Sequence, residues 1–120
     1  MFRIYYNKLI RDNVPERIEL SGGEYEVRTL SPKEFRNELY RKLGEEAQEV
    51  ITASVGSSRT ALLEELADLE AVLTEIRSLE QVSDEEIRYV LARNVERKGG
   101  FAQRLYLIWS SYGNNDAGKK

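Results

Sequence analysis

The chain has 120 residues, 41% of them hydrophobic and 32% charged, fractions that are typical of one ordered domain. Eighteen Lys and Arg residues against 21 Asp and Glu residues give a net charge of -3, which argues against nucleic acid as a main partner. With no Cys and no His, the chain cannot form disulfides, zinc ribbons, iron–sulfur sites or a Ser-His-Asp triad. A bound metal ion must therefore have oxygen ligands, as Mg²⁺, Mn²⁺ and Ca²⁺ do.

Neither a membrane span nor a secretory signal is predicted. No apolar run approaches the roughly 20 residues that a membrane-spanning helix needs, and the first residues lack the apolar core of a signal peptide. The lack of Cys also suits a reducing compartment. We therefore expect a cytoplasmic protein with no membrane partner.

The first predicted helix is short and covers residues 13–20, with Asn13 as its N-cap and Pro15 in its first turn. Residues 21–23, Ser-Gly-Gly, end it. Apolar or Thr side chains then alternate with charged ones over residues 24–29, which predicts a short strand or an extended segment.

Two long helices follow. The capping box at residues 31–34 predicts a helix over residues 32–54, roughly 34 Å long. After a short break, Ser57 or Ser58 caps a second long helix that ends near Leu79. Because a short loop joins them, the two helices are expected to be antiparallel neighbours.

A further helix is predicted to begin at a second capping box, residues 83–86, and to stop at Gly99-Gly100. Residues 101–110 are apolar enough to pack as a strand, a turn or an extended arm, and residues 111–120 are predicted to form a flexible tail. The predicted fold is therefore a single, mainly all-α domain over residues 1–110. It is a helical bundle with two long antiparallel helices, a third helix and a short extended N-terminal segment.

Acidic residues fall on the predicted core faces of both long helices. Each helix has an apolar stripe at helical spacing: Phe35, Leu39, Leu43, Ala47 and Val50 in the first, and Leu62, Leu66, Leu69, Val72, Leu73 and Ile76 in the second. Glu46 falls inside the first stripe and Glu49 at its edge. Glu65 falls inside the second stripe and Asp68 beside it. Residues at such i, i+3 spacing are neighbours on one helix face, so the two pairs can meet in the core.

Four carboxylates at a helix interface need compensation, because buried unpartnered charges are unfavourable or take up protons. A divalent cation would provide it, and clustered carboxylates are the ligands that hard cations select. Alternatively, a buried Glu pairs with Lys42 or Arg41, or the acidic residues form ordinary solvated faces. Glu45 lies outside the first stripe and Glu64 opposite the second, which suits a surface position for both.

The same acidic residues resemble a known superfamily. The motif Glu45-Glu46-Ala47-Gln48-Glu49, followed after fifteen residues by Glu65-Leu66-Ala67-Asp68, is similar to the EExxE…ExxD signature of the all-α nucleoside-triphosphate pyrophosphohydrolases. That superfamily includes MazG-type enzymes and phosphoribosyl-ATP pyrophosphohydrolase. The residues around both motifs, 42–47 and 62–69, are especially similar to the phosphoribosyl-ATP branch.

The resemblance extends beyond the acidic motifs. Residues 6–12 with Pro15 resemble a MazG-like subgroup that has a similar N-terminal block. Residues 94–101 resemble the basic block that follows later in the family. Together the matches cover residues 5–102, which is most of the chain.

The resemblance implies an α-helical bundle that binds Mg²⁺, or Mn²⁺ in its place, and assembles as a homodimer or homotetramer. It also implies release of pyrophosphate from a nucleoside triphosphate or an analogue, which leaves the monophosphate. By position, the expected metal ligands are Glu46, Glu49, Glu65 and Asp68. The expected catalytic residues are Glu45, Glu46 and Glu49, with Glu46 or Glu49 as general base.

A nucleotide substrate also needs cations for its phosphates. Lys8 and Arg11 are spaced i, i+3 just before the first helix, and Arg97 and Lys98 end the last one. Asn94 lies one turn before Arg97 and could present its amide to the same ligand. The alternative is that these residues are surface charges or helix-terminal cations.

Oligomerisation has support in the sequence as well. Opposite its core stripe, the second long helix carries a second apolar line of Leu63, Ala67 and Ala71. A helix that is apolar on two sides is buried on two sides, so we expect a homodimer.

Three functions remain open from the sequence. The main prediction is a Mg-dependent house-cleaning enzyme that hydrolyses nucleoside triphosphates, because the N-terminal block resembles the MazG-like subgroup. The first alternative is phosphoribosyl-ATP pyrophosphohydrolase of histidine biosynthesis. The second alternative is a non-catalytic helical module whose acidic faces bind a basic partner, in which Glu46→Gln and Glu65→Gln would be tolerated.

Overall fold

The computed structural model describes residues 2–111, and all the regular secondary structure within them is α-helical. The helices are α1 (Val14–Leu20), α2 (Pro32–Ser54), α3 (Arg59–Leu79) and α4 (Asp84–Lys98). The all-α prediction is confirmed, and the predicted bounds of all four helices agree with the structure to within one residue. None of these helices is long and apolar enough to cross a bilayer.

The described residues fall into two units. Residues 2–83 contain α1 to α3, and residues 84–111 contain α4. A single domain over residues 1–110 therefore stays a prediction. The predicted flexible tail, apart from residue 111, lies outside the described part of the chain.

The start of α2 confirms the predicted capping box. The Ser31 hydroxyl accepts a hydrogen bond from the Glu34 backbone N–H at 3.2 Å, and the Glu34 carboxylate accepts one from the Ser31 N–H at 3.0 Å. Arg28 approaches the same carboxylate with both terminal nitrogens, at 2.8 and 3.2 Å. Two orphan N–H groups are thereby satisfied, and the chain is fixed where it enters the longest helix.

This cap is expected to make stability sensitive to acid. The pKa of Glu34 falls from 4.5 to about 2, first because Arg28 donates to its carboxylate and then because the Ser31 N–H does. Because the folded-state pKa is lowered, the stabilisation is complete above about pH 4.5 and disappears as the pH falls towards 2. Glu34→Gln should therefore lower Tm at pH 7 but much less at pH 2. Thermal melts of the wild type and of Glu34→Gln over this pH range test the prediction, and Glu75→Gln is the control. A Tm difference between wild type and Glu34→Gln that does not change with pH would contradict it.

Helices α2 and α3 are joined by the four-residue loop 55–58 and pack against each other. The Ser58 hydroxyl accepts from the Ala61 N–H at 3.1 Å, so Ser58 rather than Ser57 is the N-cap of α3. At the opposite end of the pair, Glu80 accepts hydrogen bonds from Arg36 at 2.5 Å and from the Tyr40 hydroxyl at 2.6 Å. These contacts join the start of α2 to the end of α3, as an antiparallel pair requires.

The core of this pair is small. Leu39 and Val72 are the buried hydrophobic residues among those described, and most other members of the two apolar stripes are half-buried. The core prediction is wrong for Leu66 and Leu73, which are 41% and 39% exposed. Within residues 2–83, α3 packs on one long helix only, so the edge of its stripe stays uncovered.

One local prediction before α2 is also wrong. Asn13 makes no side-chain cap, because its φ of -93° and ψ of 2° place it outside the extended region that an N-cap residue adopts. The chain instead enters α1 through a turn in which the Val14 N–H donates to the Arg11 carbonyl at 3.1 Å. Residues 24–29, predicted as a short strand or an extended segment, form no strand, because residues 2–83 contain no neighbouring strand with which they could pair.

In the second unit, α4 has three acidic residues in its first turn and two basic ones, Arg97 and Lys98, in its last, which complements the helix dipole. Gly99 ends it with a φ of +80° and an N–H that donates to the Val95 carbonyl at 2.8 Å. The predicted glycine stop is thus confirmed. Residues 101–104 form a turn, and residues 105–111 have no regular secondary structure.

Candidate active site

Three of the predicted metal ligands meet between α2 and α3. One carboxylate oxygen from each of Glu46, Glu49 and Glu65 lies within 4.8 Å of the other two. Helical spacing brings Glu46 and Glu49 to one side of α2, and the packing of the two long helices places Glu65 opposite them. We call Glu46, Glu49 and Glu65 the acidic trio.

The three residues of the acidic trio differ in their exposure to solvent. Glu46 is buried, with 8% of its surface exposed, whereas Glu65 is half-buried and Glu49 is exposed. The Oε2 atoms of Glu46 and Glu65 are buried and have no hydrogen-bond partner among the described residues. Buried carboxylate oxygens without partners are unfavourable, so these two atoms are ready to accept a cation or a proton.

The neighbouring carboxylates raise the pKa of Glu65. It is raised, first by the hydrogen bond with Glu49 that forms when one of the two groups carries a proton. Partial burial raises it further, as do the negative charges of Glu49, Asp68 and Glu46. Proton uptake and cation binding are the two ways to relieve this repulsion.

The fourth predicted ligand, Asp68, lies beside the acidic trio with a partner of its own. Its Oδ1 accepts a hydrogen bond from Arg11 Nη2 at 2.9 Å. Its charge nevertheless contributes to the raised pKa of Glu65, one turn earlier on α3. Asp68 is thus close enough to act on the acidic trio electrostatically.

Glu45 lies apart from the acidic trio. It is exposed, and it pairs with Arg41, one turn earlier on α2, whose Nε lies 3.9 Å from Glu45 Oε1. Such an exposed pair contributes little to stability. A catalytic role for Glu45 stays a prediction.

Lys42 is also a member of the site, as the partner that the sequence offered, beside Arg41, for a buried Glu. Its Nζ lies 3.5 Å from Glu46 Oε1, and only 17% of its side chain is exposed. The signal in the sequence is the spacing, since Lys42 precedes Glu46 by four residues and can pair with it on one face of α2. The pairing occurs, but it leaves Glu46 Oε2 without a partner.

Next to the acidic trio is a cavity of about 260 Å³, which we call the cationic cavity. Three of the residues that line it, Lys8, Arg11 and Lys42, are basic, and Glu46 and Asp68 supply its acidic side. The apolar part of the wall consists of Leu9, Ile10, Val14 and Val72. The predicted phosphate ligands Lys8 and Arg11 therefore lie beside two of the predicted metal ligands.

The remaining predicted phosphate ligands are in the second unit. Asn94 is half-buried on α4, and Arg97 and Lys98 are exposed at its end. Their role in binding phosphate stays a prediction.

The donor set fits a divalent cation with oxygen ligands. Three carboxylates converge within 4.8 Å, two of their oxygens are buried without partners, and a fourth carboxylate lies next to them. Mg²⁺ and Mn²⁺ prefer such hard ligands, and the chain has no Cys or His to favour a softer metal. Glu46, Glu49 and Glu65, with Asp68, are the residues that would hold the ion.

Comparison with known proteins gives one consistent family. A family model described as phosphoribosyl-ATP pyrophosphohydrolase matches residues 7–94. A phosphoribosyl-ATP pyrophosphatase of Azorhizobium caulinodans is 34% identical over 86 residues, which are 72% of this chain and 78% of that protein. The proteins of the same name from Sulfurisphaera tokodaii and Metallosphaera sedula are 33% and 36% identical, over 73% and 65% of this chain and 88% and 82% of theirs. No solved structure matches the chain.

The family match contains both acidic motifs and most of the N-terminal block, whereas the basic block at residues 94–101 lies beyond it except for Asn94. The match begins at residue 7 and so includes Lys8 and Arg11 of the N-terminal block. The chain therefore belongs to the phosphoribosyl-ATP pyrophosphohydrolase family, within the MazG-like all-α superfamily of hydrolases that act on phosphoric anhydrides.

Proposed function

We propose that the chain hydrolyses phosphoribosyl-ATP, releasing pyrophosphate and leaving the monophosphate, as a step of histidine biosynthesis. The support is the acidic trio with its unpartnered buried oxygens, in a chain that belongs to this family. The names of the three relatives favour this substrate over a general house-cleaning role. A house-cleaning activity on other triphosphates, our main prediction from the sequence, is not confirmed.

The N-terminal block does not distinguish a house-cleaning enzyme from a phosphoribosyl-ATP pyrophosphohydrolase. It was the reason to prefer a house-cleaning enzyme, yet the phosphoribosyl-ATP family match includes Lys8 and Arg11. Both residues line the cationic cavity beside Asp68 and Glu46. They are therefore proposed to bind substrate phosphates in either case.

The acidic trio and Asp68 would hold the divalent cation, with Mg²⁺ as the proposed ion and Mn²⁺ as its substitute. A bound cation would neutralise the charge of the triphosphate and polarise the phosphate that is attacked. The chain itself brings together carboxylates from two helices. It also supplies Lys8 and Arg11, which line the cavity beside them and can bind the remaining phosphate charge.

The reaction also needs a base. The oxygen of a water molecule bonds to the α-phosphorus, the α–β anhydride bond breaks, and pyrophosphate leaves with the bonding electrons. A carboxylate takes the proton of the water, and Glu49 is the better placed of Glu46 and Glu49. It is exposed to solvent, whereas Glu46 is buried and already lies against Lys42.

Comparison of kcat/KM for phosphoribosyl-ATP with that for a panel of ribo- and deoxyribonucleoside triphosphates tests the substrate. We expect phosphoribosyl-ATP to be preferred by at least roughly a hundredfold, the discrimination that a site with dedicated polar contacts readily provides. A kcat/KM for an ordinary nucleoside triphosphate that equals or exceeds that for phosphoribosyl-ATP would favour a house-cleaning enzyme. No hydrolysis of any member by folded protein with Mg²⁺ would favour the non-catalytic module.

We also propose that the chain forms a homodimer or homotetramer. Leu63 is 54% exposed, and Ala67 and Ala71, which continue its apolar line along α3, are exposed as well. Since Leu39 and Val72 are the buried hydrophobic residues in the described part of the chain, a second copy would supply much of the missing core.

Sedimentation equilibrium measures the oligomeric state directly. We expect the mass of two or four chains for the wild type and a shift towards the monomer for Leu63→Asp, because a charge on this line opposes burial. Lys33→Asp, which changes an exposed residue on α2, is the control. A monomeric wild type at micromolar concentration would contradict the proposal.

A further inference from the structure

Two cations of the cationic cavity are paired with carboxylates that the divalent cation would need. Arg11 Nη2 donates to Asp68 Oδ1 at 2.9 Å, and Lys42 Nζ lies 3.5 Å from Glu46 Oε1. The Lys42 and Glu46 side chains are only 17% and 10% exposed. Lys8, the third cation of the wall, lies over the Tyr6 ring at 5.2 Å. The protein's own cations thus occupy one side of the predicted metal ligands.

Binding of a divalent cation changes this balance. If Asp68 and Glu46 ligated it, the ion would neutralise their negative charge and so weaken their attraction for Arg11 and Lys42, even where Glu46 ligates through Oε2 and its Oε1 still faces Lys42. Arg11 and Lys42 both stay charged, and Lys42 is held with little access to water. A poorly hydrated cation without a partner is unfavourable. The cavity therefore becomes a site for an anion once the carboxylates have been engaged.

The volume of the cavity and the hydrogen-bond donors that line it indicate which kind of anion it binds. Its volume of about 260 Å³ lies below the roughly 300–1,000 Å³ of sites that enclose a whole small molecule, so it suits one part of a nucleotide. Three basic side chains in so small a space match an anion with several charges. Arg and Lys are the residues that bind phosphate oxygens through charge-assisted hydrogen bonds.

We propose that the cationic cavity is a diphosphate subsite in which Arg11 and Lys42 exchange their carboxylate partners for phosphate oxygens when the carboxylates take up a divalent cation. Lys8 binds the same group. The subsite holds the part of the substrate that leaves as pyrophosphate, so the inference rests on the proposed function and adds the orientation of the substrate. Diphosphate and the divalent cation then favour each other's binding, since each removes the competitor of the other.

Titration calorimetry with inorganic pyrophosphate tests the subsite without turnover. In excess Mg²⁺ the full chain is expected to bind pyrophosphate at least roughly tenfold more tightly than in chelator. Arg11→Gln and Lys42→Gln should each weaken the Mg²⁺-dependent binding by roughly tenfold or more, the usual effect of losing one charge-assisted hydrogen bond. Lys42→Arg should retain most of it. The control Lys33→Gln, thirteen residues before Glu46 and so roughly 20 Å away along α2, should have no effect.

Titration with Mn²⁺ alone tests the exchange of partners. Without phosphate, Arg11→Gln and Lys42→Gln are expected to bind Mn²⁺ more tightly than the wild type, because the internal competitor is gone. Weaker Mn²⁺ binding in Lys42→Gln would show that Lys42 only positions Glu46, and would overturn the exchange. If Lys42→Gln does not fold, Arg11→Gln carries the test, since the Arg11 side chain is 61% exposed.

The two proposals can fail separately. Pyrophosphate binding that depends on Mg²⁺, Arg11 and Lys42, without hydrolysis of phosphoribosyl-ATP, would support the subsite and contradict the proposed function. Hydrolysis of phosphoribosyl-ATP with pyrophosphate binding that neither variant changes would support the function and overturn the subsite.

Discussion

Glu46→Gln and Glu65→Gln are each expected to lower kcat/KM for phosphoribosyl-ATP by roughly 10²–10⁴-fold, the usual effect of removing a group that acts directly on the reaction. Each change replaces a carboxylate whose Oε2 is buried without a partner by a neutral amide. The amide is a much weaker ligand for a hard cation. The lost interaction is therefore the one that would hold the divalent cation against the substrate.

Both variants are expected to fold. Glu65→Gln removes one negative charge from a group of carboxylates that repel one another, so its thermal stability without metal should be equal to or above that of the wild type. Glu46→Gln relieves the same repulsion but also removes the carboxylate partner of Lys42, so its thermal stability should rise less than that of Glu65→Gln. Glu64→Gln is the matched control, because Glu64 is the exposed neighbour of Glu65 and has no place in the acidic trio. Near-wild-type activity in Glu46→Gln or Glu65→Gln would exclude these residues from the site.

Divalent cations are expected to stabilise the wild type strongly. A ligand that binds only the folded state raises stability by about 2.7 kcal/mol at a concentration of 100 times Kd, which for a chain of this length is a Tm increase of about 10 °C. Differential scanning fluorimetry with Mg²⁺ or Mn²⁺ measures it. The increase should be absent or small in Glu46→Gln and Glu65→Gln and unchanged in Glu64→Gln.

This measurement separates a specific site from general screening. A surface effect of salt would raise the Tm of all variants alike, and it would also be seen with an equal ionic strength of NaCl. A Tm increase of the same size in the wild type and in Glu65→Gln would contradict a metal site in the acidic trio.

Much of the secondary structure could be predicted because its signals are local. The capping box at Ser31, the serine cap before α3 and the glycine stop after Lys98 act through contacts within a few residues, and all three occur in the structure. Where the outcome depended on more distant residues, the prediction was less accurate. Residues 24–29 alternate as a strand does, yet they have no neighbouring strand in residues 2–83 with which to pair.

For the candidate site, helical periodicity was enough to bring Glu46 and Glu65 to one interface, because it places side chains on a face without knowledge of the rest of the fold. It could not show that Arg11 reaches Asp68, since 57 residues separate the two along the chain. Nor could it show that Lys42 turns towards Glu46 instead of solvent, because several rotamers are open to a long side chain.

The most direct test is a time course of phosphoribosyl-ATP hydrolysis in Mg²⁺, with chelator added midway and with both products quantified. We expect one pyrophosphate for each phosphoribosyl-ATP consumed, arrest of the reaction when the chelator is added, and a rate at least roughly a hundredfold lower with Glu46→Gln. Release of orthophosphate in place of pyrophosphate, or a rate that chelator does not change, would contradict a metal-dependent pyrophosphohydrolase built on the acidic trio.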